Sequence, residues 1–234
     1  MSEKNEEYEV LPEDYSNFDL SFKLIIIGDS GVGKSCLTMK AVKNYFENYY
    51  SPTVGFEFFT FNVKLKDTKI RLQIWDTCGQ EVYRSLIRGF YRNASLAILV
   101  YSIDDKNSFS NLESWLNEIK TQGNPDVKIF VIGNKVDLED KRNIRYEEGN
   151  KFCKDHGLNL FLETSAKTGL NAQKLFVEAA SLLYEENLTY KNRTSDINRK
   201  GSNIGSLEFN QDISNQLIID DDNPKNEKKR FCCF

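Results

Sequence analysis

The stretch LSFKLIIIGDSGVGKSCLT, from Leu20 to Thr38, decides the fold. A bulky apolar run, Leu24 to Ile27, stops on a loop holding three glycines, one lysine and two serines. Residues 28–35 fit G-x-x-x-x-G-K-[ST], behind a strand pattern over 22–28 and ahead of a helical pattern over 34–46. Glycine lets such a loop wrap with its N–H groups pointing inward and admits a phosphate close to the backbone. The helix that follows turns its positive end to the same place. Lys34 supplies a mobile cation for the outer phosphates, and the Ser35 hydroxyl is a hard oxygen suited to Mg²⁺. The loop by itself indicates a nucleoside triphosphate, without saying which base, or whether a kinase or a switch.

Farther along, Asn134-Lys135-Val136-Asp137 closes the apolar run VKIFVIG at 127–133. Ligands of parallel α/β sheets bind at that edge. A carboxylate there accepts both guanine donors, N1–H and the 2-amino group, in a bidentate pair; adenine offers none, and such sites reject the analogue that cannot bond. Asn134 is expected on the base edge and the Lys135 stem over its face. Glu163-Thr164-Ser165-Ala166-Lys167 is expected to present a backbone N–H to the guanine carbonyl. Four residues of N-K-x-D are weak alone, but behind a phosphate loop they make GTP the expected nucleotide. Trp75-Asp76-Thr77-Cys78-Gly79-Gln80-Glu81 ends a third strand. Asp76 stands where a carboxylate holds Mg²⁺, mostly through water. Gly79 lets the backbone swing toward a γ-phosphate, and Gln80 orients the attacking water. The Thr53 hydroxyl completes the Mg²⁺ shell when a γ-phosphate is present, so hydrolysis releases its loop. Ser30 is expected where the γ-phosphate and the catalytic water meet.

These motifs sit on an alternation of short apolar runs and amphipathic stretches. Strands are expected at 22–28, 56–65, 69–75, 96–102, 127–133 and 159–162, and helices at 34–46, 108–122, 146–155 and 171–186. Leu112, Trp115, Leu116 and Ile119 repeat at helical spacing, as do Leu175, Phe176, Ala179 and Leu183; both stripes are core faces, with Ser108 and Asn171 as N-caps. LAILV and IFVIG are apolar throughout, so helices must cover both sides of a parallel sheet. The runs 56–65 and 69–75, joined by an Asp67-Thr68 turn, form an antiparallel hairpin. The expected fold is a single α/β domain of the P-loop nucleotide-binding type. Its sheet is six-stranded and mostly parallel with one antiparallel strand, and helices lie on both faces. It spans 21–187, between a mobile acidic lead (1–20) and a flexible tail (188–234).

Composition narrows the function classes. The 234 residues carry a net charge of −4 and a pI near 5.3, against a basic nucleic-acid footprint. Five cysteines without framework spacing suit a reducing compartment. The lone His156, in KDHGLN, is a surface residue rather than a metal ligand. No run approaches the ~18 apolar residues of a spanning helix, the N-terminus has no apolar signal core, and Ser2 excludes myristoylation. A cytosol-facing protein is expected.

Together the motifs resemble the Rab family of Ras-type small GTPases over residues 21–187. The likeness is carried by Val54-Gly55-Phe56-Glu57-Phe58, Arg71-Leu-Gln-Ile-Trp75-Asp76, Tyr83-Arg84-Ser85-Leu86, Phe90-Tyr91-Arg92-Asn93-Ala94 and Leu99-Val-Tyr-Ser-Ile103. It is nearest to the Rabs of the ER–Golgi and early endosomal routes. The resemblance implies nucleotide contacts from Ser30, Gly31, Val32, Gly33, Lys34, Ser35, Cys36, Phe46, Tyr50, Thr53, Gly79, Asn134, Lys135, Asp137, Ser165, Ala166 and Lys167. Phe46 would stack on guanine, Ser35, Thr53 and Asp76 would hold Mg²⁺, and Gln80 would serve a slow intrinsic hydrolysis. Phe58, Trp75 and Phe90 would form the aromatic triad that partners recognise. Phe90 stands where Tyr is usual, and Cys78 where Ala is usual. Activating proteins of this family commonly bring their own arginine and glutamine. The resemblance also implies a monomer that meets an exchange factor, a GTPase-activating protein, a GDP dissociation inhibitor or escort, and effectors.

The chain ends Lys228-Lys229-Arg230-Phe231-Cys232-Cys233-Phe234, a CCX pattern similar to a double-geranylgeranylation site. Two prenyl chains beside a basic cluster anchor stably where one holds marginally. A coil from Leu188 to Phe231 spans roughly 35–40 Å. Within it, Leu217-Ile-Ile219 and three aspartates form an apolar–acidic patch without an assigned role. The expected location is the cytoplasmic face of an internal membrane of Golgi, ER or endosome. Two alternatives remain open: a GTP-locked scaffold, against which the intact Gln80 stands, and a P-loop kinase, which should lack N-K-x-D.

Overall fold

The computed structural model describes residues 8–47, 53, 55–79 and 89–201, with side chains as far as residue 193. Tyr50, Val54, Gln80, Tyr83–Leu86, Cys232 and Cys233 lie outside the described residues. The chain divides into two units, Met1–Arg193 and Thr194–Phe234. The first carries the sheet and everything discussed below; the second is described only as helical backbone to Gly201.

The described strands are β1 (Tyr8–Leu11), β2 (Leu20–Ile27), β3 (Phe56–Leu65), β4 (Thr68–Thr77), β5 (Leu96–Ser102), β6 (Lys128–Asn134) and β7 (Leu160–Glu163). They form one sheet in the order β1-β3-β4-β2-β5-β6-β7. Neighbours pair in parallel except β1–β3 and β3–β4, so β3 alone runs against the rest. The helices are α1 (Lys34–Lys43), α2 (Lys106–Ser110), α3 (Leu112–Gln122), α4 (Tyr146–Asp155) and α5 (Ala172–Gly201).

Alternation along β2 shows why helices lie on both faces. Leu24 and Ile26 pack with Leu37 of α1 and Leu175, Phe176 and Ala179 of α5. Ile25 and Ile27 face the other way, against Leu112, Trp115, Leu116 and Ile119 of α3. Both apolar stripes are therefore core faces, as expected. Among the described residues no helix is long and apolar enough to cross a membrane.

Four local expectations are corrected. The acidic lead, expected to be mobile over 1–20, adds β1 to the sheet edge, and residues behind it are tied down by side chains of β3 and β4. Buried Asn62 donates from Nδ2 to the carbonyls of Pro12 (2.8 Å) and Glu13 (3.1 Å), while its Oδ1 accepts from Arg71 Nε at 3.1 Å. Arg71 also bonds the Tyr15 carbonyl and covers the Phe18 ring at 4.2 Å. Second, the expected helix 108–122 breaks at Asn111 into α2 and α3. Asp105, not Ser108, caps α2 by accepting from the Asn107 and Ser108 amides. The Ser108 hydroxyl is buried, donating to the Asp105 carbonyl (2.8 Å) and receiving the Ser102 N–H (3.1 Å). Third, the hairpin turns at Lys66-Asp67 rather than Asp67-Thr68, with Leu65 opposite Thr68 and Lys66 at φ 55°. Fourth, α1 stops at Lys43, where left-handed Asn44 ends it, and α5 runs to Gly201 because no proline or glycine interrupts it earlier. Asn171 precedes α5 at φ 56° and donates to the Glu163 carbonyl at 2.7 Å instead of capping the helix.

Candidate functional site

The loops leaving the C-terminal ends of β2, β4, β6 and β7 meet around a cavity of about 610 Å³. Ser30, Gly31, Gly33, Lys34, Ser35, Cys36, Phe46, Thr53, Gly79, Asn134, Lys135, Asp137, Ala166 and Lys167 line it. Val32 and Ser165 lie buried behind the wall, as does Asp76 beneath it. Motifs separated by more than a hundred residues thus converge on one space.

The phosphate loop is shaped by contacts that leave no room for side chains. Gly28 has φ 144°, and a Cβ there would stand 2.1 Å from the Val100 carbonyl oxygen. Gly33 has φ 93°, and its Cβ would meet Asn134 Nδ2 at 2.5 Å. Lys34 is 5% exposed and donates from Nζ to the Gly28 and Asp29 carbonyls, both at 2.8 Å. Burial pushes its pKa down to about 8, opposed by the charges of Asp76 and Asp29. A buried cation held only by carbonyls is prepared for an anionic ligand.

Asp76 is fully buried, and among the described residues neither carboxylate oxygen completes a hydrogen bond of good geometry. Burial raises its pKa to about 6, outweighing the nearby Ser35 hydroxyl and Lys34, with Glu57 adding to the rise. Ser35 Oγ and Thr53 Oγ1 share a hydrogen bond of 2.7 Å. Two hydroxyls and an orphaned carboxylate form a hard-oxygen set that fits Mg²⁺.

At the other end of the cavity, Asp137 Oδ1 accepts from Ser165 Oγ at 2.6 Å, which fixes the carboxylate's orientation. The Ser165 N–H goes to the Leu170 carbonyl at 3.0 Å and the Ala166 N–H to Asn134 Oδ1 at 3.3 Å, so both amides brace the loop that follows β7. Asn134, expected on the base edge, lines the cavity and also braces its loops. Its Nδ2 donates to Val32 O (2.9 Å) and Gly33 O (3.4 Å), and its Oδ1 accepts from Thr164 Oγ1 (3.1 Å) and Ala166 N (3.3 Å). The Lys135 stem runs beside the loop, its Cε 4.0 Å from where a Gly33 Cβ would stand. Both Glu163 oxygens receive Arg142 at 2.6 and 2.9 Å, steadying the start of the Thr164–Lys167 loop.

Gly79 presses on the phosphate loop: a Cβ there would stand 2.3 Å from Asp29 C and Ser30 N. Cys78 next to it is 1% exposed and packs in the apolar cluster with Ile25, Ile27 and Tyr91. Its thiol therefore belongs to the core. On the outside, Trp75 stacks with Phe58 (5.2 Å between centroids) and Phe90 (5.0 Å), so the expected triad is assembled. Phe56 joins it, 4.6 Å from Phe90, and Lys23 Nζ lies 5.3 Å from the Trp75 ring. Phe56 and Phe58 are about half exposed.

Some cavity residues were given no role by the motifs, Glu57 and Thr77 among them although quoted stretches contain both. Met39, Glu47, Glu57, Thr77 and Leu138 line the cavity. Glu57 was legible only through pairing, since the β3–β4 register sets it opposite Asp76. Asn111 and Trp115 bond the Asp29 carboxylate, a contact no local pattern announces.

The sequence profile of the Ras family matches residues 23–185, which takes in most of β2, all of β3 to β7 and the residues that line the cavity. Members of that family are small GTPases, nucleotide-binding switches that work with Mg²⁺, exchange factors, activating proteins and effectors. That match spans well over half of the chain, and the chain belongs to the Ras family.

Proposed function

We propose that this chain is a Rab-type GTP switch, anchored by prenyl groups on the cytoplasmic face of an internal membrane, that recruits effectors in vesicle traffic and hydrolyses GTP slowly. The observation that carries the nucleotide part is the buried, orphaned Asp76 beside Ser35, Thr53 and Lys34. When bound there, Mg²⁺ supplies charge neutralisation for the outer phosphates. Lys34, steadied by the carbonyls of Gly28 and Asp29, sets its charge toward the outer phosphates. Asp137, oriented by Ser165, selects guanine by accepting its two donors. Phe46 covers the base. Thr53 orders its loop when a γ-phosphate is present, Gly79 carries the backbone toward that phosphate, and Gln80 orients water.

The Rab reading is supported by the half-exposed Phe56–Phe58 face on Trp75 and Phe90, and by the adjacent Cys232 and Cys233 behind a basic cluster. Phe90 lacks the hydroxyl usual there, which alters what a partner can hydrogen-bond. Two measurements test the proposal. Binding of labelled GDP should exceed that of ADP by at least about 10³-fold, as expected where buried donors and acceptors must pair; equal affinities would refute the guanine assignment. The tagged protein should leave internal membranes for the cytosol when both Cys232 and Cys233 become Ser; an unchanged distribution would refute the anchor.

A further inference from the structure

Asp29 lies inside the phosphate loop, half-buried, and its carboxylate turns away from the cavity. Oδ2 receives Asn111 Nδ2 and Oδ1 receives Trp115 Nε1, each at 2.7 Å. Trp115 is 1% exposed in the face of α3, and Asn111 occupies the break between α2 and α3. The backbone of the same residue works on the opposite side. Its carbonyl accepts Lys34 Nζ at 2.8 Å, and the Asp29–Ser30 peptide is the surface against which Gly79 rests. One residue therefore joins a helix remote from the ligand to the lysine and to the segment that follows β4. Charge-assisted bonds to a carboxylate are about twice as strong as neutral ones.

We propose that Asp29 is a positioning residue: clamped by Asn111 and Trp115, it holds the Asp29–Ser30 peptide against Lys34 and Gly79 and so slows the escape of bound guanine nucleotide. The proposal rests on the nucleotide reading of the cavity. It assigns the junction of α2 and α3 a role in retention, so a partner that shifts Asn111 loosens the phosphate loop without entering the cavity. The Asp29 charge also opposes the neutralisation of Lys34 that burial favours.

The test is the release rate of fluorescently labelled GDP from the full chain in Mg²⁺, read together with the indole ¹⁵N–¹H resonance of Trp115, assigned with Trp115→Phe. Asp29→Asn keeps the shape but removes the charge: its one oxygen can still receive the indole, and its –NH₂ meets an acceptor only if the Asn111 amide turns over, so both charge-assisted bonds are lost and at most neutral ones remain. Release should quicken about tenfold, the range for a lost charged hydrogen bond. The indole resonance should move with it. In the double variant Asp29→Asn/Asn111→Asp, the amide at position 29 donates to the new carboxylate and its oxygen still receives the indole. Release should return to within about threefold of native, the limit set by neutral against charged bonds. A native release rate in Asp29→Asn with a displaced indole resonance would overturn the proposal. So would rapid release from a folded double variant, which decides the matter if Asp29→Asn alone does not fold. A native chain that cannot hold labelled GDP fails earlier, and refutes the nucleotide reading and this proposal together.

Discussion

Asp76 gives the molecule a pH signature that can be worked out in sign. Its pKa is raised from 3.8 to about 6 by burial, so between those values the folded carboxyl holds a proton that the unfolded chain has lost. The metal-free protein therefore loses stability, through this group, as pH rises from about 4 to about 6. Mg²⁺ needs the ionised form, so its affinity should climb across the same window. Melting curves in EDTA and in Mg²⁺, from pH 4.5 to 7, should diverge for the native chain and run together for Asp76→Asn. Lys34 has the opposite sense. Its pKa is lowered to about 8, so above that value nucleotide binding must take up a proton, and affinity should fall with rising pH. Cys78→Ala should leave GTP turnover within about twofold but lower stability by about 1 kcal/mol, because a small buried group is lost from the core. A several-fold change in turnover would place the thiol in the switch after all. Gly33→Ala combines φ 93° with a 2.5 Å clash on Asn134, and should weaken GDP binding at least about tenfold.

At the scale of elements, the strands and amphipathic stripes were legible because period and apolar run length encode them directly. The edge strand was not. Tyr8–Leu11 is short, and the lead after it is held by Asn62 of β3 and Arg71 of β4, side chains about fifty residues from the carbonyls they bond. The same holds for Asn134: N-K-x-D announces a guanine site, but that this asparagine also braces the loops rests on Val32 and Thr164, contacts made only in the fold. The break at Asn111 was hidden because no proline or glycine marks it. Replacing Asn62 by Ala should release the lead, costing about 1–3 kcal/mol for the unsatisfied carbonyls and Arg71. Hydrogen exchange should then show protection lost over residues 8–11 while β5 and β6 stay protected; retained protection would mean strand pairing alone suffices.

For the whole molecule, stability and ligand are linked by mass action. Saturating GDP with Mg²⁺ at about a hundred times Kd should add about 2.7 kcal/mol, and chelation should withdraw it. A melting temperature indifferent to GDP would refute the binding reading. The linkage gains its sharpness from Asn134. Through it, the loops after β2 and β7 close on one amide at the end of β6. An agent that lifts either loop strips Asn134 of half its partners and frees the amide to turn away from the other loop, so the mouth of the cavity comes apart as one cooperative unit. Opening is then a threshold event: partial displacement gains little, and complete displacement frees base and phosphates at once.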